Sequence, residues 1–197
     1  MKAVKNLIFT VLASAILIVT LGLFFSSASG DAVIPRQFFA ARLRAADDSR
    51  NMARLINDSL QNLKKIDEYQ RQGAVSSALD LLQFEINTAT DRQEAASLLA
   101  NQLEQMARTT AEMDPAAAER LAVEAVTTGV AMVSTMINYN DSLNQLFTGI
   151  QARLTGAPSE VNVSAVLAEI NADAEAINRL STSFNGLLDD FDSRYVK

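Results

Sequence analysis

The feature that most constrains how this chain can fold is an apolar stretch in its second half. Between Arg120 and Asp141 the sequence has twenty residues with a single charge, Glu124. This stretch lies inside a longer helical pattern that runs from Asp114 to Leu154 and begins with an Asp-Pro start signal. A helix this apolar is either the packed centre of a fold or a surface that another molecule covers.

The residue types that are missing exclude several kinds of chemistry. The 197 residues include no cysteine and no histidine, which excludes disulfides, thiolate nucleophiles, imidazole bases and the common ligands of zinc, copper and haem. The net charge of −6 disfavours nucleic acid, because phosphate contacts need a basic face. The sequence also has no phosphate-binding glycine loop and no calcium-loop spacing. We therefore predict that the protein is not an enzyme and has no metal site, cofactor or nucleic-acid partner.

The N-terminus indicates where the protein resides. Lys2 and Lys5 precede nineteen uncharged residues at positions 7–25, enough for a helix of about 28 Å, which matches the hydrocarbon core of a bilayer. The lysines place the N-terminus in the cytoplasm. We predict that residues 1–30 form a single-pass anchor in the cell membrane and that residues 31–197 form an extracytoplasmic domain. The small residues at 26–30 leave a cleaved secretory signal as the alternative, with a secreted or periplasmic domain.

Four helical patterns follow the anchor. With scarce glycine and proline, the sequence predicts long helices over residues 36–72, 74–113, 115–154 and 160–194. The breaks fall at Gly73, at Asp114-Pro115, with Asp114 as helix cap, and at residues 155–159, with Ser159 as the next cap. Short connections between long helices favour antiparallel neighbours. The predicted fold is all-α, an N-terminal transmembrane helix followed by an antiparallel up-down-up-down four-helix bundle. An extended coiled-coil dimer is the alternative.

The charge distribution predicts how the bundle closes. Residues 36–71 carry a net charge of +3, whereas residues 72–197 carry −10. Three aspartates near the end of the fourth helix face the negative end of its dipole, which is unfavourable unless cations lie opposite. An antiparallel bundle supplies such cations from the start of the first helix. We therefore predict that three arginines and three aspartates meet there: Arg36, Arg42 and Arg44, and Asp189, Asp190 and Asp192.

The seams of the helices predict the buried face of each one and two polar sites. In the second helix, the apolar phase places Gln93 on the seam, and the third helix carries Asn140 on its seam. Antiparallel alignment places Asn140 near Ala89 and Ala174. Such a polar residue either lines a small ligand cavity or fixes the register of the helices. The seam of the second helix is predicted as Val75, Leu79, Leu82, Ile86, Ala89, Gln93, Ala96, Leu99, Leu103, Met106, Thr110 and Met113.

The apolar stretch itself supports three interpretations. It is a fully packed central helix, a surface for a protein partner or homo-oligomer, or a second membrane span, which Glu124 and several polar residues disfavour. The candidate interface residues are Val123, Val130, Met132, Met136 and Ile137. The predicted function is a non-enzymatic protein-interaction or structural module of the cell envelope, anchored through residues 7–25. The alternative is a small-ligand sensor or carrier with a cavity near Asn140.

Overall fold

The computed structural model describes residues 32–196, and the predicted anchor at residues 7–25 lies outside them. The described chain forms four helices of similar length: α1 (Arg36–Gln72), α2 (Val75–Thr110), α3 (Ala116–Thr155) and α4 (Val163–Tyr195). No named strand occurs within this described part. The all-α prediction is confirmed for these residues.

Two of the three predicted breaks are glycine turns. Gly73 follows α1 with φ 74°, and Gly156 follows α3 with φ 72°. Both angles lie in the left-handed region, where a side chain is strained and glycine is not. The amide of Ala74 donates to the carbonyl of Tyr69 at 2.9 Å, which closes the end of α1. Each turn reverses the chain, so α1–α2 and α3–α4 are antiparallel hairpins.

The break between α2 and α3 differs from the prediction in its capping. The helix cap is Pro115, no side chain caps the helix, and α3 begins at Ala116, so the expectation of an Asp114 cap is wrong. The backbone of Asp114 instead pairs with the linker before α1. Its carbonyl accepts from the amide of Val33 at 2.8 Å, and its amide donates to the Val33 carbonyl at 3.1 Å. The linker is thereby tied to the α2–α3 turn.

The start of α4 also differs from the prediction. Helix α4 begins at Val163, with Asn162 as its cap, whose side-chain oxygen accepts from the amide of Ala165 at 3.2 Å. Ser159 caps only a local turn, because its hydroxyl accepts from the amide of Val161 at 3.2 Å. The segment before the helix stays extended, and Val161 packs over Gly149 of α3, where a β-carbon would lie 2.9 Å from it.

The four helices surround one core. Consecutive helices pack against each other along their lengths, and α1 and α4 come into side-chain contact at one end of the bundle. There the ring centroids of Phe38 and Phe191 lie 5.5 Å apart, and the tilted ring of Tyr195 lies 5.6 Å beyond that of Phe191. This arrangement is an antiparallel bundle in which the start of α1, the α2–α3 turn and the end of α4 share one end. We call this the basal end.

A bidentate ion pair links α1 to α4 at the basal end. The guanidinium of Arg42 donates to both carboxylate oxygens of Asp192, at 2.6 and 2.8 Å, and the two side chains are only 12% and 16% exposed. Arg42 and Asp192 are therefore paired across α1 and α4, as the charge distribution predicts. The rest of that prediction differs, because Asp190 accepts from Arg194 of its own helix at 2.7 Å. Within residues 32–196, no ion pair joins Arg36 or Arg44 to Asp189.

Helix α3 occupies a central place between its neighbours. Among the described helices it is the one long and apolar enough to cross a membrane by length and composition, with a mean hydropathy of 1.3, a test that the core helix of a soluble protein also passes. A β-carbon on Gly129 would lie 2.8 Å from Leu103 of α2 and 3.1 Å from Phe184 of α4. The close approach at Gly129 shows that this face of α3 is packed, although only 39% of the apolar window of the helix is buried.

The ion pair at the basal end predicts a specific stability effect. We expect Arg42→Glu to lower the free energy of unfolding by about 1–3 kcal/mol, because it breaks a charge-assisted, two-pronged contact that is largely shielded from water. Thermal or urea unfolding of the variant measures the loss. The control is Arg44→Glu on the exposed face of α1, which should change stability little. Combining Arg42→Asp with Asp192→Arg should recover part of the loss. Equal losses of stability in Arg42→Glu and Arg44→Glu would contradict the assignment.

Candidate functional site

A fully buried arginine lies at the centre of the bundle. Arg92 of α2 has 0% of its surface exposed, and its guanidinium donates to partners on three helices. Its Nε donates to Asn140 of α3 at 2.7 Å, and its Nη1 donates to Ser59 of α1 at 2.6 Å and to Glu85 at 3.0 Å. Its Nη2 donates to the carbonyl of Glu85 at 3.3 Å. Each nitrogen of the guanidinium therefore has an acceptor.

The counter-charge of this arginine is equally enclosed. Glu85 lies two helical turns before Arg92 on α2 and is 1% exposed. Its second carboxylate oxygen accepts from the side-chain amide of Asn62 of α1 at 2.6 Å. The Ser59 hydroxyl, which accepts from Arg92, donates onward to the carbonyl of Leu55 at 3.1 Å. We refer to Ser59, Asn62, Glu85, Arg92 and Asn140 as the Arg92 cluster.

The structure places Asn140 close to where the sequence predicts it. Its Nδ2 donates to the carbonyl of Ala89 at 3.3 Å, and its Oδ1 accepts from Arg92. Ala174, the other predicted neighbour, is buried on α4. Each polar atom of Asn140 has one hydrogen bond to the protein, and the fully buried Arg92 side chain lies directly against its Oδ1. This geometry favours the register interpretation of Asn140 over the cavity interpretation.

The predicted seam of α2 is confirmed in the second half of the helix, where Ala96, Leu99, Leu103 and Met106 are buried, and is wrong over most of the first half. Gln93 is exposed, and Arg92 takes its place in the core. The buried positions in the first part of the helix are Ala78, Leu82, Glu85 and Arg92, one residue earlier than the predicted seam at most positions. The predicted and the observed seams both alternate steps of three and four residues, but the predicted seam leaves Glu85 and Arg92 outside the core. The observed seam can bury Glu85 and Arg92 because the two side chains form an ion pair with each other.

The electrostatics follow from burial. Loss of water lowers the pKa of Arg92, and the adjacent Glu85 opposes that shift. Next to the cluster, Tyr139 of α3 is also buried; loss of water raises its pKa, Arg92 acts against this and Asp173 of α4 adds to it. Buried, paired and fully hydrogen-bonded charges hold helices in place and are poor proton donors or acceptors. The Arg92 cluster is thus suited to fixing register rather than to chemistry.

The candidate interface residues divide into two groups. Met132 and Met136 lie in the core, 4% and 1% exposed, whereas Val123 and Val130 are 44% and 52% exposed. Ile137 is partly buried and packs against the edge of the core. The two exposed valines and the partly buried Ile137 follow each other at intervals of seven residues on one flank of α3, and we call Val123, Val130 and Ile137 the α3 stripe. Seven residues are about two turns, so the three side chains form one line along the helix.

A second exposed apolar surface lies near the Gly73 turn. A shallow groove of about 410 Å³ runs between α1 and α2, and Phe84 beside it is largely exposed. Opposite charges flank the groove. Its lining consists of Lys65, Tyr69, Ser77, Asp80, Leu81 and Phe84.

No cluster of three or more potential metal-ligating His, Cys, Asp or Glu residues occurs among residues 32–196. In comparisons with known proteins, no protein-family model, no curated protein and no solved structure matches this chain.

The pairing inside the Arg92 cluster predicts a non-additive double-mutant cycle. Glu85→Leu leaves a buried guanidinium without its counter-charge, and we expect a loss of about 3–5 kcal/mol of stability. Replacing both partners, with Glu85→Leu and Arg92→Met, removes both charges and should cost markedly less than the single change. Urea unfolding of the wild type, Glu85→Leu, Arg92→Met and the double variant provides the four free energies that the cycle compares. Additive losses would show that the two side chains do not depend on each other.

The surroundings of Asp173 predict a pH-dependent effect. Burial raises the pKa of Asp173 above its ordinary 3.8, and Glu169 one turn away adds to the rise. The ionised form is therefore disfavoured in the folded state, so its stability cost is present above the folded pKa and vanishes below pH 3.8. Asp173→Asn should raise Tm at pH 7 by on the order of 1 °C, and the gain should disappear near pH 3. A matched exposed change, Asp141→Asn, should not show this pattern.

Proposed function

We propose that this chain is a membrane-anchored, extracytoplasmic helical-bundle protein that acts without catalysis, as a protein-interaction or structural module of the cell envelope. The observation that carries the proposal is the α3 stripe, because it leaves aliphatic surface open on a helix whose other face is already packed. The neighbouring helices bury one face of α3, and the remaining valines gain from leaving water only if another molecule covers them.

The basal end supports the proposed attachment. The two hydrogen bonds between Val33 and Asp114 tie the chain immediately after the predicted anchor to the α2–α3 turn. From Phe25, the last residue of the apolar run, to Val33 the chain spans at most about 28 Å. A bundle held this closely has its basal end toward the bilayer. The Gly73 turn then lies at the far end, at a height of about 50 Å.

The interior supports an interaction role over a ligand-sensing role. The position proposed for a ligand, around Asn140, is filled by the guanidinium of Arg92, which is itself hydrogen-bonded to three helices. A sensor of small molecules needs a site that is concave and open to its ligand. The α3 stripe needs no rearrangement of the core to meet a partner.

Attachment and orientation can be tested on the full chain in its membrane. We expect the protein to stay with membranes through alkaline extraction, and a C-terminal tag to be digested by protease added outside intact cells. Leu17→Arg places a charge in the middle of the apolar run, which is costly in the bilayer core, and should abolish the attachment. Release of a chain shortened by about 30 residues would instead establish a cleaved signal.

The interaction role can be tested by site-specific photocrosslinking in the same membranes. A photoreactive side chain at Val130, in the exposed part of the stripe, should give one discrete adduct. The matched control is Ala131, which is also exposed but lies about 100° further round the helix. Absence of an adduct at Val130, or equal adducts at both positions, would contradict an interaction through this surface.

A further inference from the structure

One edge of the bundle is built differently from the other three. Helices α1 and α2, α2 and α3, and α3 and α4 pack against each other along their lengths, but within residues 32–196 no such lengthwise packing joins α1 to α4. Closely packed helices bury continuous rows of apolar side chains between them, and this burial is the main stabilising term in a bundle. The α1–α4 edge therefore depends more than the others on a few individual contacts.

Specific contacts between α1 and α4 occur at the basal end. The ring centroids of Phe38 and Phe191 lie 5.5 Å apart, and both side chains are fully buried. Arg42 donates to both carboxylate oxygens of Asp192. Phe38 and Arg42 lie one turn apart on the same face of α1, and their partners are adjacent on α4, so the apolar and the ionic contact form one unit. We call Phe38, Arg42, Phe191 and Asp192 the basal latch.

Beyond the basal latch the facing side chains of α1 and α4 are short and polar. The pairing of Arg42 with Asp192 sets the register of this edge. About two turns away from the latch on each helix, Ser49 of α1 comes level with Asn185 of α4. The side-chain amide of Asn185 donates within its own helix, to the hydroxyl of Ser181 at 3.5 Å. Short polar side chains bury little apolar surface, so this level of the edge contributes little stabilisation.

Two turns further along the same edge lies a buried acceptor without a donor. In the register set by the basal latch, Asn178 of α4 comes level with Ile56 of α1, a fully buried aliphatic residue. The Oδ1 of Asn178 is itself buried and accepts no hydrogen bond from the described part of the chain. An acceptor that loses water without gaining a donor costs free energy in the closed edge. Parting of α4 from α1 returns this oxygen to water.

The Arg92 cluster indicates which helix is able to move. Its members lie on α1, α2 and α3, and none lies on α4. Because Arg92 donates to Ser59 of α1 and to Asn140 of α3, these three helices are held together by buried polar contacts whose loss is costly. Helix α4 packs on α3 through apolar contacts such as that of Phe184 over Gly129, which tolerate small shifts of a helix. Helix α4 can therefore part from α1 while the other three stay in register.

We propose that the basal latch is a conformational switch that controls access to the apolar interior along the α1–α4 edge. While the latch is closed, α4 covers this edge of the core. When the latch is released, α4 parts from α1 starting at the basal end, and the non-helical segment 157–162 at the other end of α4 acts as the pivot. The buried side chains that opening uncovers include Leu188 and Phe191. The switch goes beyond the proposed function and operates whether or not the chain is anchored.

The absence of native cysteine allows the opening to be followed by thiol labelling of the full chain in a mild detergent. Ser49→Cys and Ser181→Cys report on the two sides of the α1–α4 edge, since each serine is 7% exposed. The control is Ala95→Cys. Ala95 is buried and lies five turns after Ser77, which lines the groove between α1 and α2, so it faces α1 across an edge that stays closed. We expect both edge cysteines to react with a maleimide at least about tenfold faster than the control.

The dependence on urea separates local opening from global unfolding. Opening of one edge exposes little surface, so the labelling rate of Ser49→Cys should change little at low urea, whereas that of Ala95→Cys should rise steeply. Equal rates with the same steep dependence at both positions would overturn the inference, because the core would then open only as a whole. Equally fast labelling of both with little dependence on urea would also overturn it, because α1 would then be the helix that moves.

The role of the basal latch is tested by two matched changes near the end of α4. Asp192→Asn removes the carboxylate that Arg42 binds and should speed the labelling of Ser49→Cys about tenfold. Asp190→Asn removes an ion pair within α4, with Arg194, and should change the rate less than about twofold. Far-UV circular dichroism verifies that both variants keep their helices. Equal labelling rates in the two variants would overturn the assignment of the latch, and the comparison of Ser49→Cys with Ala95→Cys decides the opening without either change.

Discussion

The guanidinium of Arg92 is the constraint on which the arrangement of the bundle depends. It needs acceptors from α1, α2 and α3 at the same time, at distances between 2.6 and 3.3 Å. A slide of α1 or α3 by one turn relative to α2 would leave a buried charge or amide without a partner, at a cost of several kcal/mol. Apolar seams tolerate such slides far better, because one aliphatic side chain resembles another. The polar cluster therefore selects one register among several that the apolar residues alone would allow.

The basal end has a second set of specific contacts, separate from the Arg92 cluster. The Val33–Asp114 pairing, the Arg42–Asp192 ion pair and the contact of Phe38 with Phe191 all lie at the end nearest the predicted tether. The opposite end has simple glycine and loop turns. These three contacts are thus concentrated at the end of the bundle where the predicted tether joins it. If the chain is anchored as we propose, these contacts give the bundle a defined orientation relative to the bilayer.

Helix α3 combines an interior and an exterior role. One face holds Asn140 and Gly129 against the neighbouring helices, while the stripe with Val123 and Val130 is open to water. The packed-core and interface interpretations of this helix are therefore compatible, since they concern different faces of it. The two methionines of the candidate interface, Met132 and Met136, belong to the packed face. This division accounts for an apolar content greater than one buried face needs.

The sequence by itself determined the four helices, their breaks at Gly73 and Gly156 and their antiparallel order, because these depend on local spacing and on turn residues. It also indicated the meeting of Arg42 with Asp192, since the charge imbalance between the first helix and the rest favours that contact. Only the tertiary structure decided which face the first half of α2 buries. Glu85 and Arg92 each argue against burial when they are read alone, and only the fold shows that they are buried together. The start of α4 is a local feature that was predicted at the wrong residue, because Asn162 rather than Ser159 caps the helix. The backbone role of Asp114 was decided by a distant contact, because its amide and carbonyl pair with Val33.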